Sequence, residues 1–399
     1  MKKTFFAIVA LAFALTPIQA QKSNKQAEVK PEGYKFTTVV SLPATPVKNQ
    51  SATGTCWCFA TTSFMESELL RLGKGEYDLS EMFVVRKTYE NRIYDNYLRQ
   101  GKGNLGEGSL SPSWLRVFNE DGLMPQEAYS GISYDSKTHN HRELQAYVDA
   151  LTTVPVKMKR ISQESDEVTD AVLDIYLGEI QESFTYKGQT YTPQSFAASL
   201  GLNMDDYVHI TSFSHFPFYS EGVLEVPDNW EMNRFYNVPL DELIQIMDYA
   251  LNKGYTVNWD GDVSERGFSH ANGVAINPDM TKIDISAMTD RARFENMSSD
   301  RSGGLSFDKP YPEIDVTQDI RQKGYEAFVT TDDHLMHLTG IVKDQNGTKY
   351  YVTKNSWGTD RNPYGGYLNM SESFVRAKTI YIMVHRNAIP GEIKTNLGL

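Results

Sequence analysis

The chain has 399 residues, 23% charged side chains and a formal net charge of −12. Its length suits one large domain or two lobes around a cleft. The negative charge argues against nucleic acid and anionic membrane surfaces as partners.

The first 20 residues have the pattern of a secretory signal peptide. Two lysines precede an apolar run from Phe5 to Leu15, and the small residue Ala20 closes the segment. Basic, apolar and small-residue zones in this order predict cleavage near Ala20, and the apolar run is too short to span a bilayer. The alternative is a buried N-terminal helix. We therefore predict an exported protein, periplasmic or extracellular, without a membrane helix.

The region after the leader is predicted to be mainly helical. A polar, flexible arm at residues 21–35 leads into an extended segment. Apolar residues at helical spacing then predict a helix that begins at or just before Cys56. Further helices are predicted at 79–100, 111–121 and 140–152. Residues 156–250 are interpreted as a long, mostly helical insertion, with helices near 164–182, 193–199 and 239–252.

The last quarter of the chain is rich in β-branched and aromatic residues. These residues predict strands at 338–343, 349–354 and 379–385, after an earlier strand-like start at 255. The Asn-Gly pair at 346–347 predicts a hairpin turn, because glycine adopts positive φ without strain. Helices early and strands late indicate an α+β protein with two lobes.

The two cysteines, Cys56 and Cys58, lie one residue apart. A disulfide over so short a loop is strained, so a free, reactive thiol is the better interpretation in an exported chain. The thiolate is the nucleophilic form, and a helix N-terminus or a neighbouring imidazolium lowers a thiol pKa. Cys56 stands at the predicted helix start. Cys58 lies about 200° further around the helix and is expected to face the core.

His334 has the most suggestive context among the histidines. It precedes a predicted strand, and the strand that follows the hairpin ends just before Asn355. The hairpin is expected to bring Asn355 beside His334, where the amide oxygen accepts the imidazole N–H and sets the tautomer. His337, three residues further along the strand, is expected to point the other way. Gln50, six residues before Cys56, could join the Cys56 backbone N–H in binding an oxyanion.

A metal site is the weaker alternative for this region. His334 and His337 face opposite ways, and neither Asp332 nor Asp333 supplies a further ligand in register. The segment Asp260-Gly261-Asp262 lacks the acidic spacing of a calcium loop. We predict no metal and no cofactor.

Three segments resemble the papain superfamily of cysteine peptidases. Residues 46–50 (PVKNQ) with 54–57 (GTCW) look like its nucleophile segment, 333–334 (DH) like its histidine segment, and 354–358 (KNSWG) like its asparagine segment. The resemblance implies a nucleophile, a base, an orienting amide and an oxyanion donor at Cys56, His334, Asn355 and Gln50. It also implies a papain-like two-lobed α+β fold over residues 36–390, with a helical left lobe, a β-rich right lobe and a long helical insertion.

The bleomycin hydrolase and aminopeptidase C branch of the superfamily looks nearest. Cys56 and His334 lie about twice as far apart as the 130–150 residues usual in papain-like enzymes, and that branch has a long helical insertion. Residues 235–243 (FYNVPLDEL) and 257–263 (VNWDGDV) resemble its motifs. The branch implies an aminopeptidase and a homohexamer. In the branch a C-terminal tail lies in the cleft; here the tail is 391–399, and its reach to Cys56 is left open.

The resemblance also implies contacts with a peptide substrate. Gly106, Glu107 and Gly108 belong to a glycine-rich loop whose backbone is open to an added peptide strand. Trp357 and Asp333 are further predicted substrate contacts, and Trp357 is expected to shield the His–Asn hydrogen bond from water. The alternatives are a papain-like endopeptidase, a catalytically silent peptide-binding protein on the same fold, and a transglutaminase-type acyl transferase.

Overall fold

A computed structural model describes residues 33–133, 136–282 and 305–399. The predicted signal peptide and nearly all of the predicted arm lie outside the described residues, so export stays a prediction. Within the described ranges, no helix combines the length and the apolar character that crossing a bilayer requires.

The described residues form ten α-helices. They are α1 (Cys56–Arg71), α2 (Glu81–Leu98), α3 (Ser111–Glu120), α4 (Arg142–Met158), α5 (Gln163–Leu177), α6 (Pro193–Leu200), α7 (Leu240–Asn252), α8 (Gln318–Glu326), α9 (Glu372–Lys378) and α10 (Gly391–Asn396). The predicted helices in the first half are present, and α1 begins at Cys56 as expected.

The strands of the described residues are β1 (Thr37–Ser41), β2 (Phe184–Tyr186), β3 (Gln189–Tyr191), β4 (Tyr207–Thr211), β5 (Glu221–Val223), β6 (Arg234–Asn237), β7 (Val257–Gly261), β8 (Phe268–Ser269), β9 (Val274–Ala275), β10 (His334–Lys343), β11 (Lys349–Lys354), β12 (Tyr367–Ser371) and β13 (Thr379–His385). All except β2 and β3 join one sheet, in the order β5-β6-β4-β13-β7-β10-β11-β12-β9-β8, and β1 adds to β10. Strand β10 therefore lies deep in the sheet, with β7 and β11 as its antiparallel neighbours.

The segment 156–250 differs from the predicted insertion. Its helices α5, α6 and α7 are present, but it also supplies β4, β5 and β6 to the main sheet. These strands have three to five residues each, which is too short for a period-2 pattern to stand out from helical runs. Strand β4 pairs with β13, far away in the sequence, so its partner cannot be found locally.

The sheet carries a hydrophobic core on each face, because successive strand residues point to opposite sides. On one face Leu335 and Tyr381 pack with Trp57 and the other apolar side chains of α1, α2 and α3. On the other face Met336 and Ile382 pack with the apolar stripe of α7 and with the C-terminal helix α10. The helical lobe thus covers one face of the sheet, as the two-lobed fold predicts.

The C-terminal tail belongs to the second of these faces. Leu397 is buried in the core under α7, and Leu399 packs against the same cluster. Since α1 covers the opposite face, Leu399 does not lie beside Cys56. This answers the question that the sequence left open about the reach of the tail.

Candidate active site

The helix that begins at Cys56 is held against the glycine-rich loop. Gly54 N–H donates to Oε2 of Glu107 at 2.6 Å, and the indole N–H of Trp57 donates to the Glu107 carbonyl at 3.1 Å. A Cβ at Gly54 would lie 2.8 Å from Cβ of Glu107, so only glycine allows this approach. The predicted loop 106–108 therefore borders the thiol-bearing turn.

Three polar contacts fix α1 on the sheet. Ser63 Oγ lies 2.9 Å from Nδ1 of His337 on β10 and 2.7 Å from Nζ of Lys354 on β11. Asn258 of β7 donates to Thr61 Oγ1 at 2.9 Å. These contacts align the start of α1 with the start of β10, and the Cys56 sulfur faces the backbone N–H of Leu335, the residue after His334.

His334 and Asn355 meet as the hairpin predicts. His334 Nε2 lies 2.8 Å from Oδ1 of Asn355, which also accepts the N–H of Ser356 at 2.7 Å. Because an amide oxygen can only accept, Nε2 carries the proton and Nδ1 is the basic nitrogen. The Trp357 ring lies 4.9 Å from the His334 ring, centroid to centroid, and covers this hydrogen bond.

Gln50 is tied to the same segment. Its backbone N–H donates to the Ser356 carbonyl at 2.9 Å, and its Oε1 accepts from Ser356 Oγ at 2.6 Å. Nε2 of Gln50 donates one hydrogen to the Thr53 carbonyl at 2.8 Å, which leaves its second amide hydrogen for another acceptor. The amide is 7% exposed and so has little freedom to move.

Comparison with known families agrees with this arrangement. The model described as papain family cysteine protease matches residues 35–234, about half of the chain, and contains Gln50 and Cys56. A second model, described as Peptidase C1-like family, matches residues 315–398 and contains His334 and Asn355. This chain belongs to the papain family of cysteine proteases.

Individual relatives extend the match of this papain-family protease over most of its length. It is 25% identical over 390 residues to aminopeptidase C of Lactococcus lactis subsp. cremoris, covering 88% of this chain and 83% of the relative. It is 25% identical over 419 residues to the mitochondrial cysteine proteinase 1 of Saccharomyces cerevisiae, covering 93% and 80%. The crystal structure of pepw from Lactobacillus rhamnosis HN001 shares the fold, with a TM-score of 0.66, 18% identity and coverage of 91% and 84%.

The electrostatics of the papain-family site differ from the sequence-based expectation of a lowered thiol pKa. Burial raises the pKa of Cys56 to about 12, against the Leu335 N–H that lowers it. Burial lowers the pKa of His334 to about 4, against the hydrogen bond to Asn355 that raises it. Burial thus favours the neutral form of both the thiol and the imidazole. Transfer of the proton creates opposite charges that attract strongly where solvent screening is weak.

Two predicted substrate contacts are occupied by the protease itself. The Asp333 carboxylate accepts hydrogen bonds from the backbone of Val263 and Ser264 and from Thr331 Oγ1. Although burial raises the pKa of Asp333, a hydrogen bond with the Asp262 side chain and those named above hold it below its usual value. Asp333 thus anchors the end of β7. The Glu107 side chain is likewise held by Gly54, whereas Gly106 is exposed beside it.

A second histidine, which the sequence did not predict, lies beside Asn355. Nδ1 of His270 lies 3.2 Å from Nδ2 of Asn355, and its ring lies 5.0 Å from that of Trp357. This bond orients the amide so that Oδ1 faces His334. His270 sits between the two-residue strands β8 and β9, and no local motif marks such a position.

Three carboxylates near the thiol were also not predicted. Asp228, Asp260 and Asp332 each raise the pKa of Cys56, beyond the effect of burial itself. They come from the β5–β6 loop, from β7 and from the residue pair before β10. Among the described residues, no group of His, Cys, Asp and Glu side chains is arranged to hold a metal ion.

Proposed function

We propose that this papain-family protease is an aminopeptidase that works through a thioester on Cys56. His334 is the proposed base and acid, Asn355 the orienting residue and Gln50 the oxyanion donor. The observation that carries the proposal is the 2.8 Å contact between His334 Nε2 and Asn355 Oδ1. It leaves Nδ1 of His334 as the basic nitrogen, while the backbone N–H of Leu335, one residue further on, faces the Cys56 thiol at the start of α1.

The proposed reaction has two halves. In the first, the Cys56 proton moves to Nδ1 of His334 while the sulfur attacks the peptide carbonyl carbon. The oxyanion is bound by the Cys56 backbone N–H and the free amide hydrogen of Gln50. His334 then gives its proton to the leaving amine as the C–N bond breaks. In the second half His334 takes a proton from water, the hydroxyl adds to the thioester, and His334 returns the proton to the sulfur as the C–S bond breaks, which restores the thiol.

The choice of aminopeptidase over endopeptidase is supported by the relatives that span most of the chain, one of which is named aminopeptidase C. Its test compares a dipeptide reporter that has a free amine with its N-acetylated twin. We expect kcat/KM to be at least about tenfold higher for the free amine, since a site built for an ammonium leaves polar groups unpaired when the charge is absent. Equal or faster cleavage of the acetylated twin would favour the endopeptidase.

We further propose that His270 positions Asn355. Replacing His270 by Ala is expected to lower kcat about five- to tenfold, the equivalent of one neutral hydrogen bond of about 1 kcal/mol. KM should change less than twofold. The acidic limb of the pH profile of kcat should shift, because His334 loses the oriented amide of Asn355. His270→Gln keeps an acceptor for the Asn355 amide and should restore most of the rate. An unchanged pH profile in His270→Ala would assign His270 a packing role only.

A further inference from the structure

Asp260 is a charged side chain that the proposed mechanism does not use. It is 0% exposed, and among the described residues no N–H group or hydroxyl donates to either carboxylate oxygen; only the Asp332 carboxyl group can share a proton with it. In the sheet it stands opposite Leu335 on one side and Tyr381 on the other. Asn258, two residues earlier on the same face, bonds to α1. The Asp260 carboxylate therefore points into the space between the sheet and the helical lobe.

The side chains of Asp332 and Asp228 lie near the Asp260 carboxylate. The Asp332 side chain lies beside that of Asp260 and accepts the backbone N–H of Asp228, yet its Oδ2 is buried without a partner. Asp228 lies over the glycine-rich loop, where a Cβ at Gly108 would be 2.0 Å from its Oδ2. A side chain at position 108 would therefore displace this carboxylate from the loop that borders Cys56.

The described part of the chain supplies no counter-ion in contact with the cluster. None of the three carboxylates forms an ion pair with a described lysine or arginine. Arg92 is the cation that Asp228 senses, but its guanidinium donates to the Gly108 carbonyl and lies over the Trp230 ring at 4.8 Å. An ionised carboxylate is costly to bury without a partner, so the cluster by itself is expected to hold protons, and a cation from outside would stabilise its ionised form.

A cavity of about 460 Å³ adjoins the cluster and has Asp332 in its wall. Phe328 in the wall of this cavity exposes 84% of its surface. The cavity therefore places apolar side chains next to the Asp332 carboxylate. Its remaining lining is Val226, Pro227, Tyr325, Thr330 and Thr331, together with the polar side chains of His215, Glu225 and Glu326.

We propose that Asp228, Asp260 and Asp332 bind the protonated α-amino group of the peptide, while the side chain of its first residue enters the adjoining cavity. An ammonium has three donors and no acceptor, which matches a group of carboxylate oxygens that lack donors. Leu399 packs on the other face of the sheet, away from these three carboxylates. The inference rests on the proposed aminopeptidase and names what recognises the free N-terminus.

The cluster should hold protons when no peptide is bound. Burial and the nearby Asp228 raise the pKa of Asp332 to about 8, and burial with Asp332 raises that of Asp260 well above its usual range. An unfolded aspartate titrates near pH 4, so the folded state binds more protons. The contribution of Asp332 to the free energy of unfolding is therefore fully present below about pH 4 and is lost as pH rises through about 8. Asp332→Asn should melt at or above the temperature of the parent protein at pH 8.5, which shows that the variant folds.

The test measures binding without catalysis. In a Cys56→Ala protein, calorimetry compares leucyl-alanine amide with N-acetyl-leucyl-alanine amide. Adding Asp260→Asn or Asp332→Asn should weaken binding of the free amine at least tenfold and leave binding of the acetylated twin unchanged. Asp319→Asn, which removes an exposed carboxylate paired with Lys323 on α8, is the control and should change neither affinity.

Three results would overturn the inference. The first is unchanged affinity for the free amine in the Asn variants, and the second is an equal loss of affinity for both peptides. The third uses N-acetyl-lysyl-alanine amide as a further ligand: a loss of affinity confined to that peptide would assign the cluster to a basic side chain. The proposed function fails separately, if the active parent protein cleaves blocked reporters as fast as free ones. If the Asn variants keep the preference for free-amine reporters, that result contradicts only the proposed carboxylate site.

Discussion

Replacing Cys56 by Ala is expected to lower kcat/KM for peptide hydrolysis by about four to six orders of magnitude. The substitution removes the atom that forms the thioester, and loss of a covalent nucleophile has effects of about this size. The fold should survive, because Ala has good helix propensity at the first position of α1. A steady-state assay with a free-amine reporter, together with mass spectrometry after a peptidyl electrophile, measures both the rate and the labelling.

Cys58→Ser provides the matched control for this prediction. Cys58 is fully buried, and its Sγ donates to the Glu81 carbonyl at 3.2 Å. A serine hydroxyl can make the same bond, so activity should stay within about twofold of the parent, the range usual for a conservative change away from the chemistry. Hydrolysis retained in Cys56→Ala and lost in Cys58→Ser would reverse the assignment of the two thiols.

Replacing His334 by Ala is the second large effect that we expect. A general base and acid contributes about 10²–10⁴-fold to a rate, so kcat should fall by that amount with a smaller change in KM. The remaining thiol also loses the imidazole that takes its proton. Since burial raises the pKa of Cys56 to about 12, labelling by a small electrophile should then require alkaline pH.

His337→Gln is the control for the histidine prediction. Nδ1 of His337 bonds to Ser63 Oγ at 2.9 Å, and the ring is fully buried between α1 and β10. Gln keeps a polar group for Ser63, so the variant should retain the neutral-pH labelling of Cys56 even where its stability is lower. Equal losses of labelling in both histidine variants would indicate a general disturbance of β10 rather than a base at His334.

The sequence was sufficient to predict the residues whose context is local. Cys56 was placed at a helix start by apolar spacing, and His334 and Asn355 were paired through the Asn-Gly hairpin; the structure has α1 from Cys56 and a 2.8 Å His–Asn contact. Gly347 takes φ +83°, as the hairpin requires. Cys58 is buried, which agrees with its expected place in the core, and His337 is buried as well. The catalytic roles of these residues stay proposals.

Residues whose neighbours lie far away in the sequence could not be predicted. Asp228, Asp260 and Asp332 meet only because β6, β7 and β10 belong to one sheet and because a loop from the helical lobe reaches them. No segment of the chain contains two of them in a recognisable spacing. His270 reaches Asn355 in the same way, through a short strand pair that adds to β12.

The state of the thiol is a further property that sequence could not provide. A helix N-terminus predicts a lowered pKa for Cys56, but the opposing effects of burial and of nearby carboxylates depend on packing between lobes. The same packing gives the site its low solvent screening. Proton transfer to His334 is therefore the step on which nucleophilic attack depends in this account.

The pH dependence of Cys56 alkylation tests this account most directly. Rates of labelling by iodoacetamide would be measured from pH 5 to pH 10 in the parent protein and in His334→Ala, with mass spectrometry to assign the labelled residue. We predict fast labelling of Cys56 at neutral pH in the parent, and labelling in the variant that rises only at alkaline pH. Superimposable profiles in the two proteins would contradict the pairing of Cys56 with His334.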